Sequence, residues 1–287
     1  MLNKRIFFKY VVKLFGEKRY LRAKYLYRTG KTLNLNNPKK FTEKLQWLKL
    51  NHRIPEMTVM ADKILAKDFV AKRIGSEYVI GLKKIFESVN EIETVNLPKT
   101  PFVIKTSHDS GSIKVILEPS DINVEVIKHY FFSKMHNFYY MSLEWEYLNI
   151  KPKILIEDYV KSDDNIFLQD FKVHCFNGEP LLIQTISDRG SEVKENWFNT
   201  SWKPQEMSYF SDKKADVPKP VVLDEMIQVS TKLAQGLPYV RIDFYNNNGR
   251  LLFGEFTFRP YGGFMKWNRE KIDYQLGELL FLENLNS

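Results

Sequence analysis

Two short apolar runs near the C-terminus predict a β-hairpin. Residues 240–245 and 251–256 flank an Asn-Asn-Asn-Gly stretch, and Asn and Gly readily adopt the positive φ angles that a tight hairpin turn requires. A carboxylate interrupts each run, Asp243 in the first and Glu255 in the second. If the strands pair symmetrically about the turn, these two carboxylates lie close together across the ladder.

Neighbouring carboxylates repel each other unless a cation lies between them. Mg²⁺ is a suitable cation because it prefers oxygen ligands, and Arg241 and Arg259 bracket the two acids in the sequence. Fixed guanidinium groups beside such a site suit anionic phosphoryl or acyl-phosphate groups. The same spacing is also compatible with a buried ion pair between one acid and one arginine, and the sequence leaves both interpretations open.

Apolar residues recur with helical spacing elsewhere in the chain. The predicted helices span residues 6–14, 20–26, 38–50, 57–74, 121–135, 223–234 and 271–282. Asn37 and Pro38 mark the start of the third helix, whereas Gly30 and Gly75 are expected to end the second and the fourth.

Shorter apolar or alternating runs predict strands. Besides the hairpin, these runs lie at residues 78–80, 84–86, 102–105, 115–117, 154–160, 168–176 and 180–186, with a strand or turn at 197–202. The strands do not alternate regularly with helices as they do in a Rossmann fold. The predicted class is therefore α+β.

Positive charge is concentrated at the N-terminus. The 287-residue chain has a formal net charge of +8, and residues 1–31 contain ten basic side chains against one acid, Glu17. Because the remainder is close to neutral, the charge distribution argues against a nucleic-acid-binding core. A basic amphipathic helix with aromatic residues suits an anionic membrane surface. A helix packed on the domain with solvated lysines is the alternative, and DNA or RNA binding is a third.

The sequence also limits the cellular setting. A single cysteine, Cys175, excludes an internal disulfide and favours a reducing environment. No apolar run approaches the roughly 20 residues that a membrane-spanning helix needs, and Lys9 and Lys13 interrupt any signal-peptide core. We therefore expect a cytoplasmic protein, with residues 1–31 as a candidate contact with the inner face of the membrane.

A small polar loop follows the predicted strand 102–105. The strand ends in a charge, Lys105, and residues 106–112 read Thr-Ser-His-Asp-Ser-Gly-Ser. A loop of this kind can present backbone N–H groups to phosphate. An ordinary turn between two strands has the same appearance.

Taken in order, these features resemble the ATP-grasp superfamily, and most of all its TupA-like family. The segments that carry the resemblance are NPKKFTEKLQWLKL, ADKILAK, FVIKTSHDSGS, LQDFKVHCFNG and VRIDFYNNNGRLLFGEFTF. The similarity extends from about residue 36 to the C-terminus. It implies an ATP-grasp fold, in which two α+β subdomains clasp ATP. A basic helical segment, 1–35, would precede a domain over 36–287 with parts at 36–100, 101–160 and 161–287.

The resemblance also implies a nucleotide site. Lys63 and Lys105 match the two nucleotide-binding lysines, and Asp170 matches the ribose-binding acid, with Lys172 on the same strand face. The matches to the phosphate loop and the adenine hinge are Ser107, His108, Ser110, Gly111, Ser112, Glu157, Asp158, Tyr159 and Val160. Asp109 and Ser112 replace smaller residues that the family commonly has in this loop.

At the catalytic end, the resemblance implies a Mg²⁺ site beside the ATP. Asp243, Glu255 and Thr257 match the metal ligands, although Thr257 replaces the asparagine of the wider superfamily, including the D-alanine–D-alanine ligases. Arg241 matches the arginine that steadies the charged intermediate. Arg259 is an additional candidate for that role.

The implied activity is an ATP-dependent carboxylate–amine ligase that forms an amide through an acyl phosphate. TupA-like proteins point to cell-surface polymer biosynthesis, so we expect an amino acid or another amine and a uronic-acid-containing capsular glycan or its precursor as substrates. A glycosyltransferase of surface polysaccharide synthesis is one alternative, although an Asp-x-Asp motif and a Rossmann-like start are missing. A non-catalytic nucleotide-binding protein is the other.

Overall fold

Two antiparallel sheets form the body of the protein. The computed structural model describes residues 2–136, 139–161, 170–187 and 192–282, with side chains from residue 6 onward. The small sheet has the order β1-β4-β2-β3 and contains β1 (Leu82–Phe86), β2 (Phe102–Thr106), β3 (Ile113–Ile116) and β4 (Ile154–Asp158). The large sheet has the order β7-β6-β5-β8-β9 and contains β5 (Asp170–Phe176), β6 (Glu179–Ser187), β7 (Lys194–Asn199), β8 (Tyr239–Asn247) and β9 (Arg250–Thr257).

Helices pack around both sheets. The described α-helices are α1 (Leu2–Phe15), α2 (Glu17–Thr29), α3 (Phe41–Asn51), α4 (Pro55–Ala61), α5 (Leu65–Ile74), α6 (Val124–Phe132), α7 (Tyr139–Ser142), α8 (Leu223–Ala234) and α9 (Glu270–Leu279). The combination of helices with separate antiparallel sheets confirms the predicted α+β class.

Separate apolar clusters hold these layers together. In the main cluster, Val173, Ile242 and Phe244 of the large sheet pack with residues of α4, α5 and α8, including Met226. A second cluster joins the sheet to α3 and α9, where the rings of Phe41 and Tyr239 are 5.0 Å apart. The small sheet has its own core with α6. Each sheet therefore packs against its own apolar clusters. Polar residues between the two sheets form a cleft.

The long helix predicted over 57–74 is wrong, because the chain forms α4 and α5 with a break between them. In the break, the Asp62 carboxylate accepts a hydrogen bond from the Ile64 N–H at 2.8 Å. The Lys63 N–H donates to the carbonyl oxygen of Ser107 at 2.9 Å instead of continuing the helix. This contact attaches the break to the loop after β2, and it places Lys63 outside any helix.

Several other boundaries differ from the prediction. The helix expected from Pro38 begins at Phe41, because the Glu43 carboxylate accepts the Lys40 N–H at 3.1 Å and fixes the first turn. The strand expected at 78–80 is a 3₁₀ turn followed by a single bridge from Val79 to Phe253. The strand expected from 154 to 160 ends at Asp158. Leu168, predicted to begin the second sheet, lies outside the described residues.

The two N-terminal helices differ in how closely they pack onto the domain. Helix α2 packs onto the domain, with Tyr20, Leu21 and Tyr25 buried in a cluster that includes Phe264. Helix α1 exposes apolar side chains instead, and Tyr10 is 67% exposed. Among the described helices, none has both the length and the apolar character to cross a membrane.

A buried lysine of α3 connects this helix to the end of α7 and to the turn that follows β9. Lys49 of α3 is fully buried, and its Nζ donates to the carbonyl oxygens of Ser142 at 2.8 Å and Gly262 at 2.7 Å. The ammonium also lies 4.7 Å from the centroid of the Phe264 ring. Burial lowers the pKa of Lys49 to about 7. Folding therefore disfavours its protonated form.

This shift predicts a pH dependence of stability. The unfolded chain binds a proton at Lys49 up to a pH of about 10, whereas the folded chain releases it near 7, so stability rises between these values. From pH 7 to pH 9 the free energy of unfolding should increase by about 2 kcal/mol through this residue. Urea unfolding of Lys49→Met should lack this increase relative to the wild type. The exposed control Lys72→Met should keep it, and an unchanged pH slope in Lys49→Met would contradict the assignment.

Candidate active site

The predicted hairpin is confirmed. Strands β8 and β9 pair around a turn in which Asn248 and Gly249 have φ angles of 52° and 82°. Asp243 and Glu255 are direct cross-strand partners. The sequence spacing therefore places the two carboxylates side by side, as expected from symmetric pairing.

Asp243 is neutralised by two cations. The Arg241 side chain forms a bidentate pair with it, with Nε–Oδ1 at 2.6 Å and Nη2–Oδ2 at 2.8 Å, and Lys172 of β5 donates to the same carboxylate. Burial alone would raise the pKa of Asp243, but the charges of Arg241 and Lys172 outweigh it and lower the pKa to about 2. The buried ion pair that the sequence allowed is present here. It involves Arg241 and not Arg259.

Glu255 has a different environment from its partner. Its side chain is 27% exposed, and its nearest cations are Arg241 Nη2 at 3.5 Å and Lys63 Nζ at 3.7 Å. Within the part of the chain that the structure describes, no donor forms a hydrogen bond to this carboxylate. Glu255 lines a cavity of about 490 Å³ together with Lys172, Arg241, Thr257 and Arg259. It therefore offers carboxylate oxygens to a ligand in that cavity.

The oxygen donors at this edge suit a hard cation. Asp243 and Glu255 supply carboxylates, and the Thr257 hydroxyl accepts a hydrogen bond from Arg241 at 3.0 Å, on the same face of the hairpin. Mg²⁺ binds through one or two carboxylates and keeps several waters. In the described residues no group of three or more His, Cys, Asp or Glu side chains is placed to hold a metal. The fit to Mg²⁺ therefore rests on these three oxygen donors.

A second charged group lies on the small sheet. Glu157 of β4 is buried between Lys105 of β2 and Lys67 of α5, with N–O distances of 2.5 and 2.7 Å. Burial raises the pKa of Glu157, and the two lysines more than reverse this effect, so that its pKa is lowered. Desolvation lowers the pKa of Lys67. Two buried cations are thus fixed in place by a single carboxylate.

Lys67 is a site residue that sequence reasoning missed. The segment ADKILAK contains both Lys63 and Lys67, four residues apart, and only the first was assigned a role. On one continuous helix the two lysines would share a face, but the break after Asp62 separates them. Lys63 faces Glu255 and the loop after β2, whereas Lys67 reaches Glu157 and the carbonyl oxygen of Ile80 at 2.6 Å.

The next residues of the predicted hinge leave this cluster. Asp158 points to the opposite side of the strand, where its half-exposed side chain pairs with Lys83 at 2.8 Å. Tyr159 and Val160 follow the end of β4 and are partly buried. Only Glu157 of the four predicted hinge residues therefore joins the two lysines through its side chain.

The loop after β2 is closed by its own side chains. Asp109 accepts hydrogen bonds from the hydroxyls of Thr106 and Ser112, and its backbone carbonyl accepts one from Lys63 Nζ. The Asp109 carboxylate is therefore held by two hydroxyls of its own loop. Gly111 has a φ of 85°, which a glycine adopts without strain.

His108 connects the loop after β2 to the segment that follows α6. The residue is buried, and its Nε2 lies 3.1 and 2.8 Å from the carbonyl oxygens of Lys134 and His136. Two acceptors require that Nε2 carries the proton and donates. The ring therefore holds the loop against the end of α6, whereas Ser110 lines the cavity.

Asp170 and Lys172 connect the two halves of the site. Both lie on the same face of β5, and Lys172 Nζ is 2.7 Å from Asp170 Oδ2 while it also donates to Asp243. The alternation of the strand makes this contact possible. Lys172 is therefore shared between the position matched to ribose and the position matched to the metal.

Arg259 lies beyond the paired part of the hairpin. It makes no ion pair within 4 Å with Asp243, Glu255 or any other described acid. Strand β9 ends at Thr257, and Arg259 begins the 3₁₀ turn Pro260–Gly263, so the strand alternation does not extend to it. Its side chain is buried and lines the same cavity as Glu255. Burial lowers its pKa.

The cavity has further walls that no sequence pattern indicated. They include Glu144 and Tyr147 from the segment after α7, and Tyr209 from the segment after β7. A neighbouring cavity of about 360 Å³ shares Ser110, Glu144 and Tyr147 and extends toward His108. The candidate site is therefore a cleft between the two sheets, with the loop after β2 on one side and the hairpin on the other.

Comparison with known proteins shows the family to which the chain belongs. The family model of the TupA-like ATP-grasp proteins matches residues 43–281. The chain therefore belongs to the TupA-like ATP-grasp family, and its α+β architecture is an ATP-grasp fold. No curated protein matches the sequence.

Solved structures give weaker likenesses. D-alanine–D-alanine ligase from Bacillus anthracis, complexed with ATP, is 15% identical with a TM-score of 0.41 over 70% of this chain and 55% of that chain. The Helicobacter pylori enzyme is 15% identical, with a TM-score of 0.43, over 84% and 67% of the two chains. The ATP-grasp ligase PsnB, in a complex with Mg, ADP and a variant of its minimal precursor, is 10% identical with a TM-score of 0.43 over 82% and 63%. The chain thus spans little more than half of the B. anthracis ligase.

The Glu157 cluster gives a prediction about stability. Glu157→Gln leaves Lys67 and Lys105 buried without their counter-charge, so the free energy of unfolding should fall by about 3–5 kcal/mol. The neighbouring variant Asp158→Asn breaks an exposed pair with Lys83 and should cost less than about 1 kcal/mol. Urea unfolding of both variants measures the difference. Equal losses would show that Glu157 is not the buried centre of this cluster.

Proposed function

We propose that the protein is an ATP-dependent carboxylate–amine ligase. The observation that supports this most is the environment of Glu255. Its carboxylate has no hydrogen-bond donor among the described residues, Lys63 and Arg241 lie within 4 Å of it, and Lys172 lines the same cavity. A cleft that offers a carboxylate surrounded by fixed cations suits a metal–phosphate ligand. Family membership supports the same reaction class.

In this proposal each charged group has a separate task. Glu255, with Asp243 and Thr257, would hold Mg²⁺, and Lys105 and Lys67 would place two charges beside the phosphates of ATP. When bound, ATP and Mg²⁺ supply the phosphoryl group that activates a substrate carboxylate. Arg241 stabilises negative charge that develops near the hairpin, and its pair with Asp243 fixes its orientation. Lys63 holds the Asp109 carbonyl and so positions the loop over the cleft.

No enzyme nucleophile is required for this reaction. The amine would attack the carbonyl carbon of the acyl phosphate, so that a C–N bond forms as the C–O bond to phosphate breaks. Phosphate would leave with the former carboxylate oxygen, and the amine nitrogen would lose a proton. The chain's task is to position the reactants and to keep water out. We propose that the carboxylate belongs to a uronic acid of a cell-surface glycan or its precursor, as the TupA-like resemblance implies, and that the amine is an amino acid or a related compound.

We also propose that α1 contacts the inner face of the cytoplasmic membrane. Its exposed apolar residues border a groove of about 1090 Å³ between α1 and α2, lined by Phe7, Phe8, Val11, Tyr20, Ala23, Lys24, Tyr27, Arg28 and Met141. The ten basic side chains of residues 1–31 would attract anionic lipid headgroups. A membrane contact would bring the cleft to substrates assembled at that surface.

Glu255→Gln tests the metal site. The substitution preserves size and removes the charge that would bind Mg²⁺, so amine-dependent ADP release should fall by about 10²-fold or more. The apo protein should melt at no lower temperature than the wild type, because Glu255 forms no hydrogen bond among the described residues and its two ion pairs, at 3.5 and 3.7 Å, are long. Mg²⁺-ATP should then stabilise it less. The exposed control Glu278→Gln should behave as the wild type, and normal turnover by Glu255→Gln would refute the assignment.

The membrane contact is tested by a matched pair of phenylalanines. Phe7 of α1 is 61% exposed and Phe132 of α6 is 68% exposed. Phe7→Ser should weaken binding to vesicles that contain anionic lipid by about tenfold, because it removes an inserted apolar side chain. Phe132→Ser should leave vesicle binding unchanged. Equal binding by the wild type and Phe7→Ser would contradict the proposal.

A further inference from the structure

Two oppositely charged side chains line the cavity, and neither forms an ion pair within 4 Å with a described residue. Arg259 is 2% exposed, and across the described residues its only hydrogen bond runs from Nη1 to the carbonyl oxygen of Phe258 at 2.9 Å. Its Nε is buried without an acceptor. The Glu144 carboxylate lines the same cavity, and no described residue forms an ion pair or hydrogen bond with it.

The two side chains belong to neighbouring segments. A Cβ atom placed on Gly262, in the turn that follows Arg259, would lie 3.7 Å from Glu144 Oε1. Glu144 follows Leu143, a buried residue with a φ of 53°, which is unusual for a leucine. The fold therefore brings the carboxylate and the guanidinium to one end of the cavity, yet holds them more than 4 Å apart.

A buried guanidinium without an anion is costly. Arg241 is already paired with Asp243, whereas Arg259 lines the cavity and has donors that no described residue accepts. A ligand carboxylate would satisfy them with charge-assisted hydrogen bonds. Glu144 in the same way would accept hydrogen bonds from a ligand ammonium group. A ligand that carries both groups a short distance apart matches the pair.

We infer that Arg259 and Glu144 form a subsite for a zwitterionic amino acid, with Arg259 on its carboxylate and Glu144 on its amino group. This inference rests on the proposed ligase function and identifies the amine substrate as an amino acid. A simple amine would leave Arg259 unpaired. A phosphate or a simple acid would be repelled by Glu144. The buried acid Glu146 does not fill the role of the ligand, because it makes no ion pair with Arg259 within 4 Å.

The subsite places the amine near the reacting carboxylate. Ser110 and Glu255 line the same cavity, so an amino group at Glu144 lies in the space where the activated carboxyl group would be held. Glu144 can accept the proton that the amine must lose before it attacks. Arg259 takes no part in the bond changes and acts as a specificity-determining residue.

The test compares three matched ligands in thermal unfolding of the full chain with Mg²⁺ and ADP. The ligands are common amino acids, their α-amides, which lack the carboxylate charge, and the corresponding 2-hydroxy acids, which lack the ammonium group. At least one amino acid should raise the melting temperature, and its amide and hydroxy acid should need about tenfold higher concentration or more for the same shift. The exposed control Arg250→Gln should respond as the wild type does.

Two variants separate a binding role from a structural one. Arg259→Gln should lose the preference for the amino acid over its amide, and Glu144→Gln should lose the preference over the hydroxy acid. A purely structural role would change the melting temperature without changing either preference. Glu144 is only partly buried, so its variant remains informative if Arg259→Gln folds poorly.

The outcomes also separate this inference from the proposed function. Stabilisation by Mg²⁺ and ADP but by no amino acid, or equal responses to amino acids and amides, would overturn the subsite and leave the nucleotide proposal intact. If Mg²⁺ and ADP have no effect on the wild type, the proposed function itself fails. Unchanged preferences in both variants would also overturn the subsite.

Discussion

A buried carboxylate on the central hairpin, Asp243, is compatible with folding only because two cations neutralise it. Arg241 lies two residues away on the same strand, and Lys172 reaches it from the neighbouring strand, so the ion pairs join β5 and β8. Replacing such a group by apolar side chains is often neutral or stabilising. Its presence in the large sheet therefore suggests a role in chemistry, because stability alone does not require it. Glu255, directly opposite, has no hydrogen-bond donor among the described residues and only two longer ion pairs, with Arg241 and Lys63.

The small sheet contains the same combination of one buried acid with two cations. There a single acid, Glu157, holds two lysines, whereas in the large sheet two cations hold a single acid that lies beside a second one. The cleft between the sheets is thus lined by charges that the protein balances only in part. Ligand binding gains the most free energy where it neutralises charged groups that the protein itself neutralises only in part. Such groups are also where local folding rules are expected to fail.

The sequence predicted the features that depend on local spacing. The partnership of Asp243 and Glu255 follows from the turn residues, and the bounds of α8 follow from its apolar spacing. Features that depend on distant contacts were missed or misplaced. The break between α4 and α5 requires the loop after β2, which accepts the Lys63 N–H, and Lys67 gains a role only because Glu157 lies opposite it. The position of the Arg259 side chain could not be predicted from strand spacing, because the strand ends at Thr257, and Glu144 approaches from more than a hundred residues away in the sequence.

The central claim is that Asp243 and Glu255 hold the metal of a nucleotide complex. The most direct measurement is the anomalous scattering of Mn²⁺ in crystals grown with Mn²⁺ and ADP. The account predicts a manganese peak beside Glu255 at the hairpin, with the nucleotide phosphates between the hairpin and the loop after β2. A nucleotide bound in the cleft with its manganese distant from both carboxylates, or a nucleotide bound outside the cleft, would contradict it.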